Sequence, residues 1–568
     1  MVGFPDWQVA VETAQVIAGV VKYPATNPFF IYHTKLWTIL HQICAPLLWA
    51  GISEIRLSLI LSGVLGMVTF QALAMFVFAL SSDALLAIGA AALIYFTRAA
   101  EYGAVYGLFL LGTENTYGIL GLSFSVLAIA LIGAGAYRAG GFLLGLAPAV
   151  HPSLGAWIGL VVACVLLWDF RRTRDELRPA LNGFLAGCFV TALSLAIQLG
   201  FIYRLPPLDG RTFSSREISA FITYWDGHRK PVAIANNGVS LNFAALALAS
   251  IWLATFAKVT PRSSVFLLRV VVVSALMGIA LVFVSWIPPE KLPTTLLVLM
   301  PGRVLNFNAL TFVALLVGLL GTYRRMVWSQ LLLLLLFAGL LLGDHSMLWE
   351  WLVLKRGIVY ESHARPLWVV SATSVGLVVG AAVTKWRQLD RPAQSAAHTA
   401  PVMGSALRGV SLALLVLAAV LTLGFSRPTS LIFRDRTNDV FFGQVAAGHG
   451  LLLTAGDLHL IQLRTRRPVL LDGGGLDGVL YSLEAGPEME RILREVYGID
   501  LLDPPEEARG AGRIPPMANK KTWESYSADK WREIGRTFHA TQVLTYPDWT
   551  LNLPVAAQSR RLLLYDIR

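Results

Sequence analysis

Phe142-Leu143-Leu144-Gly145-Leu146-Ala147-Pro148-Ala149-Val150-His151-Pro152-Ser153 is the stretch on which the fold turns. Apolar residues continue to either side of it, but Pro148 and the His151-Pro152 step interrupt the run, because proline removes a backbone donor and disfavours helix in the residue before it. The segment therefore reads as two half-length helices, 138–150 and 152–168, meeting at a turn. Working outward, further apolar runs lie at 56–80, 82–97, 117–134, 181–204, 240–258, 263–288, 305–323, 328–343, 366–384 and 409–425. A full crossing needs roughly 20 residues, so the shorter runs are expected to be broken, thinly embedded or extended by their flanks. The expected fold is an all-α polytopic membrane bundle of about 11–12 spans. It would occupy 56–426, after an outer loop at 1–55 and before a soluble α/β domain at 427–568.

Composition supports this class. Of 568 residues, 55% are hydrophobic and 14% charged, with mean hydropathy +0.62, whereas charged residues approach a quarter of a soluble protein. Cys44, Cys164 and Cys188 all sit in apolar runs and read as small buried hydrophobes, with no disulfide framework or thiolate metal site. The net charge of +11 is spread through short connectors, which excludes a basic nucleic-acid-binding domain and points to the lipid bilayer and its phosphates as partner. No cleavable signal peptide is recognisable. The 16 Trp and 16 Tyr suit an interfacial belt, with sugar stacking as the other use.

Orientation follows from the basic connectors. Arg171, Arg172, Arg174, Arg178, Lys258, Arg262, Arg324, Arg325, Lys385, Arg387, Arg391 and Arg408 fall on one side of the spans, the expected cytoplasmic side of a bacterial inner membrane. Residues 1–55, 98–116, 205–239, 289–304, 344–365 and the tail then face the periplasm. The first of these segments holds a short polar helix around Glu12, a Gly19 exit, Pro24 and Pro28 as a bend, and an interfacial helix at 34–52. In the tail, strand-length runs at 450–454, 468–472 and 561–565 alternate with helical patterns at 487–497 and 528–538. Gly473-Gly474-Gly475 follows one of these runs without a phosphate-binding lysine and reads as a turn.

The order of features from Asp6 to Trp168 resembles the GT-C superfamily of polyprenyl-phosphate-sugar-dependent glycosyltransferases, in its protein O-mannosyltransferase-like and aminoarabinose-transferase-like branches. The similar features are Asp6, Gly19, Pro24 and Pro28, the 34–52 helix, and Arg56-Leu57-Ser58 leading into Ser62-Gly63-Val64-Leu65-Gly66. Gly112-Thr113-Glu114-Asn115 stands where that family carries a second carboxylate, and the Phe142 to Pro152 stretch looks like its broken fifth span. Pro301-Gly302-Arg303 is similar to its basic anchor for lipid phosphate. The family's first span precedes the acid-bearing loop, whereas this sequence opens within the loop and lacks an Asp-x-Asp pair. The resemblance implies transfer of a sugar from a polyprenyl-phosphate-linked donor to an acceptor on the periplasmic side.

That chemistry needs a base for the acceptor hydroxyl and cations for the departing phosphate. Asp6 is the candidate base, with Glu114 as helper or metal ligand; Glu12 is a third candidate, although at about 100° per residue it does not share a helical face with Asp6. Either Asp6 or Glu114 could instead cap a helix. A divalent metal such as Mg2+ or Mn2+ held by Asp6 and Glu114 would also stabilise the phosphate. Arg303, His151, His228, Arg229, Lys230, Arg356, His363 and Arg365 are the candidate substrate-binding residues, arginine because its planar fork grips two oxygens. Snorkelling at the membrane edge, or for His151 satisfaction of backbone groups at the kink, is the structural alternative. Two other functions fit the composition: a transporter or flippase of lipid-linked saccharides, and a non-catalytic protein of envelope assembly.

Overall fold

The computed structural model describes residues 7–97, 99–101, 108, 116–168, 170, 174, 177–206, 211–226, 229–232, 246–249, 251–252, 262–342, 364–389, 440–471, 475–509 and 514–567. The chain is mostly helical, with a small mixed sheet near its C-terminus. Three helices come first: α1 (Val9–Ile17), α2 (Pro28–Lys35) and α3 (Ile39–Trp49). The apolar part follows as α4 (Glu54–Ser81), α5 (Ala84–Phe96), α6 (Thr116–Gly133), α7 (Tyr137–Val150), α8 (Pro152–Trp168) and α9 (Leu181–Ile202). After the short amphipathic α10 (Ser215–Tyr224) come α11 (Arg262–Ser285), α12 (Thr294–Val298), α13 (Val304–Thr322), α14 (Val327–Leu342) and α15 (Ala364–Leu389). Five helical stretches among the described residues are long and apolar enough to cross a membrane: Glu54–Ser81, Arg178–Ile202, Val265–Ser285, Thr294–Thr322 and Trp368–Trp386. Of the expected spans, 409–425 and most of 240–258 lie outside the described residues.

Contacts at helix ends fix how these elements run. Glu54, opening α4, is paired with Arg466 of the C-terminal region, while the carbonyl of Ser81 at the other end accepts from Arg324, 2.8 Å away, just past α13. At about 1.5 Å per residue α4 spans roughly 42 Å, so these contacts mark opposite ends of the bundle. α13 runs alongside α4 in the same direction, since Gly318 and Gly321 face Leu80 and Ser81. α11 runs the other way, with Leu267 against Gly133 at one end and Gly278 against Leu305 at the other. The first loop, the start of α6, the α7–α8 turn and the segment 297–303 thus gather at the Glu54 end. α13 lies at the centre, buried throughout from Val304 to Gly321.

The broken run forms α7 and α8 as read. His151 is extended between them (φ −152°, ψ 104°), and Thr38 donates to the carbonyl of Val150 over 2.9 Å. α7 meets α9 through glycines. A Cβ at Gly183 or Gly187 would lie 2.1 or 2.2 Å from the carbonyl oxygens of Arg138 and Phe142. At Gly141 and Gly145 it would lie 2.2 and 2.3 Å from those of Ala180 and Phe184. Two small-xxx-small motifs therefore bring backbone against backbone, which compensates for the weak apolar drive between helices in lipid.

Beyond 440 the chain forms α16 (Val440–Ala447), β1 (Leu451–Thr454), α17 (Ile461–Thr465), α18 (Gly486–Ile492), α19 (Pro516–Ser525), α20 (Ala528–Phe538), β2 (Ala540–Thr545), β3 (Val555–Gln558) and β4 (Leu563–Asp566). The sheet order is β1-β2-β4-β3, with β1 and β2 parallel and the other pairs antiparallel. The run at 468–472 contributes only a single parallel bridge, Val469 to Leu452. Trp523, Trp531 and Trp549 build the core here, with Trp523 edge-on to the other two at ring centroid distances of 5.5 and 5.7 Å. These indoles, and Trp225 against this region, are buried core residues, not members of a membrane belt.

Candidate functional site

Local sequence rules place the first-loop helices. Gly19, at φ +68°, ends α1 in a conformation that glycine adopts without strain. The side chain of Asn27 caps α2 by accepting from the backbone N–H groups of Phe29 (2.9 Å) and Phe30 (3.2 Å), and Pro28 occupies the first helical turn. Pro28 therefore opens a helix, which corrects its reading as part of a bend: its missing N–H would have been an orphan at N1 in any case. The expected 34–52 helix is also corrected, because the chain leaves helical conformation at Leu36 and restarts behind the Thr38 cap as α3.

These helices hold a buried polar chain. His41 Nδ1 lies 3.2 Å from the Leu36 carbonyl, which can only accept, so Nδ1 carries the proton and Nε2 is an acceptor. The Tyr117 hydroxyl, 2.7 Å from Nε2, then donates to it, and its oxygen accepts from Thr13, 3.4 Å away. Thr13 in turn accepts from Nδ1–H of His33 at 2.8 Å. Every hydrogen bond in this chain is thereby directed. His33 is left with a lone pair on Nε2 that has no hydrogen-bond partner among the described residues. Burial, with His41 adding repulsion, lowers the His33 pKa to about 3, so the ring is neutral.

One turn along α6 from Tyr117, Gly121 makes room for His151; a Cβ there would come within 2.4 Å of the imidazole's own Cβ. His151 Nε2 lies 3.3 Å from Arg303 Nη1. Arginine and a backbone N–H both only donate, so one ring nitrogen faces Arg303 while the other, Nδ1, faces the Leu154 N–H at 3.4 Å and Ser153 Oγ at 3.3 Å. Arg303 stands at the entrance of α13, in a single turn that starts at Met300 (φ +49°). A non-glycine residue there costs on the order of 1–3 kcal/mol, and such strain gathers at functional sites.

The C-terminal region closes over this end. Gln15 donates to Glu54 (3.2 Å) and to the Leu463 carbonyl (3.1 Å), and Gln462 donates to the Glu12 carbonyl (3.1 Å). The Tyr23 hydroxyl donates to Gln462 Oε1 (2.5 Å) and accepts from Val469 N–H (3.2 Å). Arg466 grips Glu54 with Nε at 2.6 Å and Nη2 at 3.0 Å, and Lys35 pairs with Glu484. Tyr481 reaches the Arg303 turn, its hydroxyl 4.0 Å from Met300 Sδ, and its ring lies 6.3 Å from that of Tyr32. Arg229, paired with Asp226 in a buried ion pair, places its guanidinium 5.4 Å from the Tyr481 ring. Its Nε donates to the Leu297 carbonyl at 2.7 Å and the guanidinium interacts with the Tyr481 hydroxyl, while Nη2 makes no well-aligned hydrogen bond among the described residues.

Of the candidate residues, Arg303 and His151 are therefore in contact, with Arg229 nearby across Met300 and Tyr481. Glu12 is buried on α1, close enough to Tyr117 to interact with it electrostatically. Lys230 is half-buried beside Arg229. Asp6, Glu114, His228, Arg356 and His363 lie outside the described residues; Arg365 is described only as backbone within α15. No cluster of three metal-ligating side chains occurs among the described residues, and Asp6 and Glu114 are not among those. Sequence reasoning missed Thr13, Tyr117, Tyr32 and Tyr481. His33 and His41 lacked metal-like spacing, and their link runs through Thr13 and a tyrosine 76 residues beyond His41. No protein-family model matches the chain, and comparison with curated proteins gives no match.

Proposed function

We propose that the chain is a multi-pass membrane glycosyltransferase of GT-C-like architecture, taking a sugar from a polyprenyl-phosphate-linked donor to an acceptor at the outer, periplasmic face. The observation that carries this reading is the contact of Arg303 with His151 at the mouth of α13, beneath a roof formed by the C-terminal region. A lipid phosphate lying at that mouth would take charge-assisted hydrogen bonds from Arg303, with its prenyl chain along the apolar helices. In the reaction the acceptor oxygen bonds to the anomeric carbon, the bond from that carbon to the phosphate oxygen breaks, and polyprenyl phosphate leaves. The acceptor's proton passes to a carboxylate, for which Asp6 is the candidate, with Glu114 as helper. A bound divalent metal would add charge stabilisation to the leaving phosphate. The buried Arg229–Asp226 pair is internally neutralised, so Arg303 is the better anchor.

Two measurements test this. Arg303→Ala is expected to weaken binding of undecaprenyl phosphate to the purified full chain at least tenfold; unchanged affinity removes the anchor. Asp6→Asn is expected to abolish glycosyl transfer in membranes at unchanged protein level, and full activity in that variant would take Asp6 out of the mechanism.

A further inference from the structure

Tyr32 and Tyr481 come from distant parts of the chain, one from the first loop and one from the C-terminal region, yet their half-buried rings lie side by side. The contact is built for that approach. A Cβ at Gly478 would meet the Tyr32 ring at 2.8 Å, and one at Gly475 would meet Phe29 at 2.7 Å. Two buried polar atoms that make no well-aligned hydrogen bond among the described residues flank the rings. His33 Nε2 belongs to a ring 5.3 Å from that of Tyr32, and Arg229 Nη2 to the guanidinium beside Tyr481. A buried polar atom left unmade is costly, and its retention calls for an occupant that satisfies it.

The two atoms ask for different things. Arg229 Nη2 can only donate, while the directed chain through Thr13 leaves His33 Nε2 able only to accept. An anion could satisfy the first and not the second. A hydroxyl group satisfies either atom, since it both donates and accepts. Charge points the same way: Asp226 neutralises Arg229, and the His33 ring is neutral. Two tyrosine rings supply the apolar surface on which the C–H face of a pyranose stacks. Met300 joins this platform to Arg303, whose N–H donates to the Met300 carbonyl at 2.9 Å, so phosphate anchor and aromatic surface stand next to each other.

We propose that Tyr32 and Tyr481, with His33 and Arg229, form a saccharide subsite that holds the sugar ring of the lipid-linked donor while its phosphate rests at Arg303. This rests on the transferase reading above.

The test uses the full chain in a sugar-free amphiphile such as lauryldimethylamine oxide, because maltoside detergents would compete. Binding of a panel of methyl glycopyranosides (gluco, galacto, manno and rhamno) is measured by saturation-transfer NMR, and undecaprenyl phosphate is titrated in parallel. At least one glycoside is expected to bind the wild type. Tyr32→Ala and Tyr481→Ala are expected to weaken it at least tenfold with undecaprenyl phosphate affinity unchanged, while Tyr481→Phe, which keeps the ring, stays within about threefold. Absence of glycoside binding to the wild type, or equal binding to Tyr481→Ala, overturns the subsite. Should Tyr481→Ala fail to fold, loss of glycoside binding in Tyr481→Phe with normal undecaprenyl phosphate affinity overturns it as well. The Arg303→Ala titration decides the anchor separately, so the two ideas fail by different observations.

Discussion

His33 shows what a single side chain contributes at this end of the molecule. It is almost fully buried, edge-on to Phe29 at a ring distance of 4.4 Å, and bonded through Thr13 to the start of α6. Its pKa is about 3 in the fold, against an ordinary value of 6.5. The unfolded chain therefore binds the extra proton first, and stability falls as pH drops below 6.5 until the folded pKa is reached. At about 1.4 kcal/mol per pH unit, acidification from pH 7 to 5 should cost roughly 2 kcal/mol through this residue. Thermal unfolding in detergent should show a lower Tm at pH 5 than at pH 7 for the wild type and a smaller difference in His33→Gln. An identical pH slope in the two proteins would mean that His33 is not held neutral.

Among the elements, the α7–α9 pair is the clearest case of a contact set by residue size. Gly183 and Gly187 touch backbone on α7, so any side chain there must separate the helices. Gly187→Leu is expected to destabilise by about 1–3 kcal/mol through overpacking. Gly159 on α8 has nothing within 4 Å of a notional Cβ, and Gly159→Leu should stay within about 0.5 kcal/mol of the wild type. Equal Tm losses in the two variants would show that the glycines matter through helix propensity and not through packing. Among the described residues, the apolar segments were legible in the sequence to within a few residues, since run length and proline placement act locally. Helix α2 was not, because Asn27-Pro28 can open a helix or make a turn, and only the packing of Phe29 and Ile31 decides which. Strands β2 and β3 were missed for a related reason: short strands pair over long sequence distances and carry a weak local signal.

At the scale of the whole molecule, the C-terminal region is fastened to the first loop and the bundle by a small set of polar contacts. The Arg466 side chain is about half exposed, so its two-pronged pairing with Glu54 is worth on the order of 1 kcal/mol. Arg466→Ala should therefore raise amide exchange in α17 about fivefold through looser docking. Unchanged exchange would assign the docking to Gln15, Tyr23 and the apolar contacts around Leu460 and Leu463. The same closure brings Tyr481 to Met300.

Composition and run length by themselves determined that this chain has multiple apolar helices, where the main break falls, and that a mixed α/β region follows. Each of these depends on residues close together in sequence, through hydrogen-bond satisfaction in an apolar medium and the periodicity of helix and strand. Only the tertiary structure decided which polar side chains meet. Thr13, His33, His41 and Tyr117 join into one directed chain, Arg303 finds His151, and Tyr481 finds Tyr32, across separations that no spacing rule reaches. Burial then sets their chemistry, because a histidine in a dry packed site stays neutral and a tyrosine there is held to one hydrogen-bond direction.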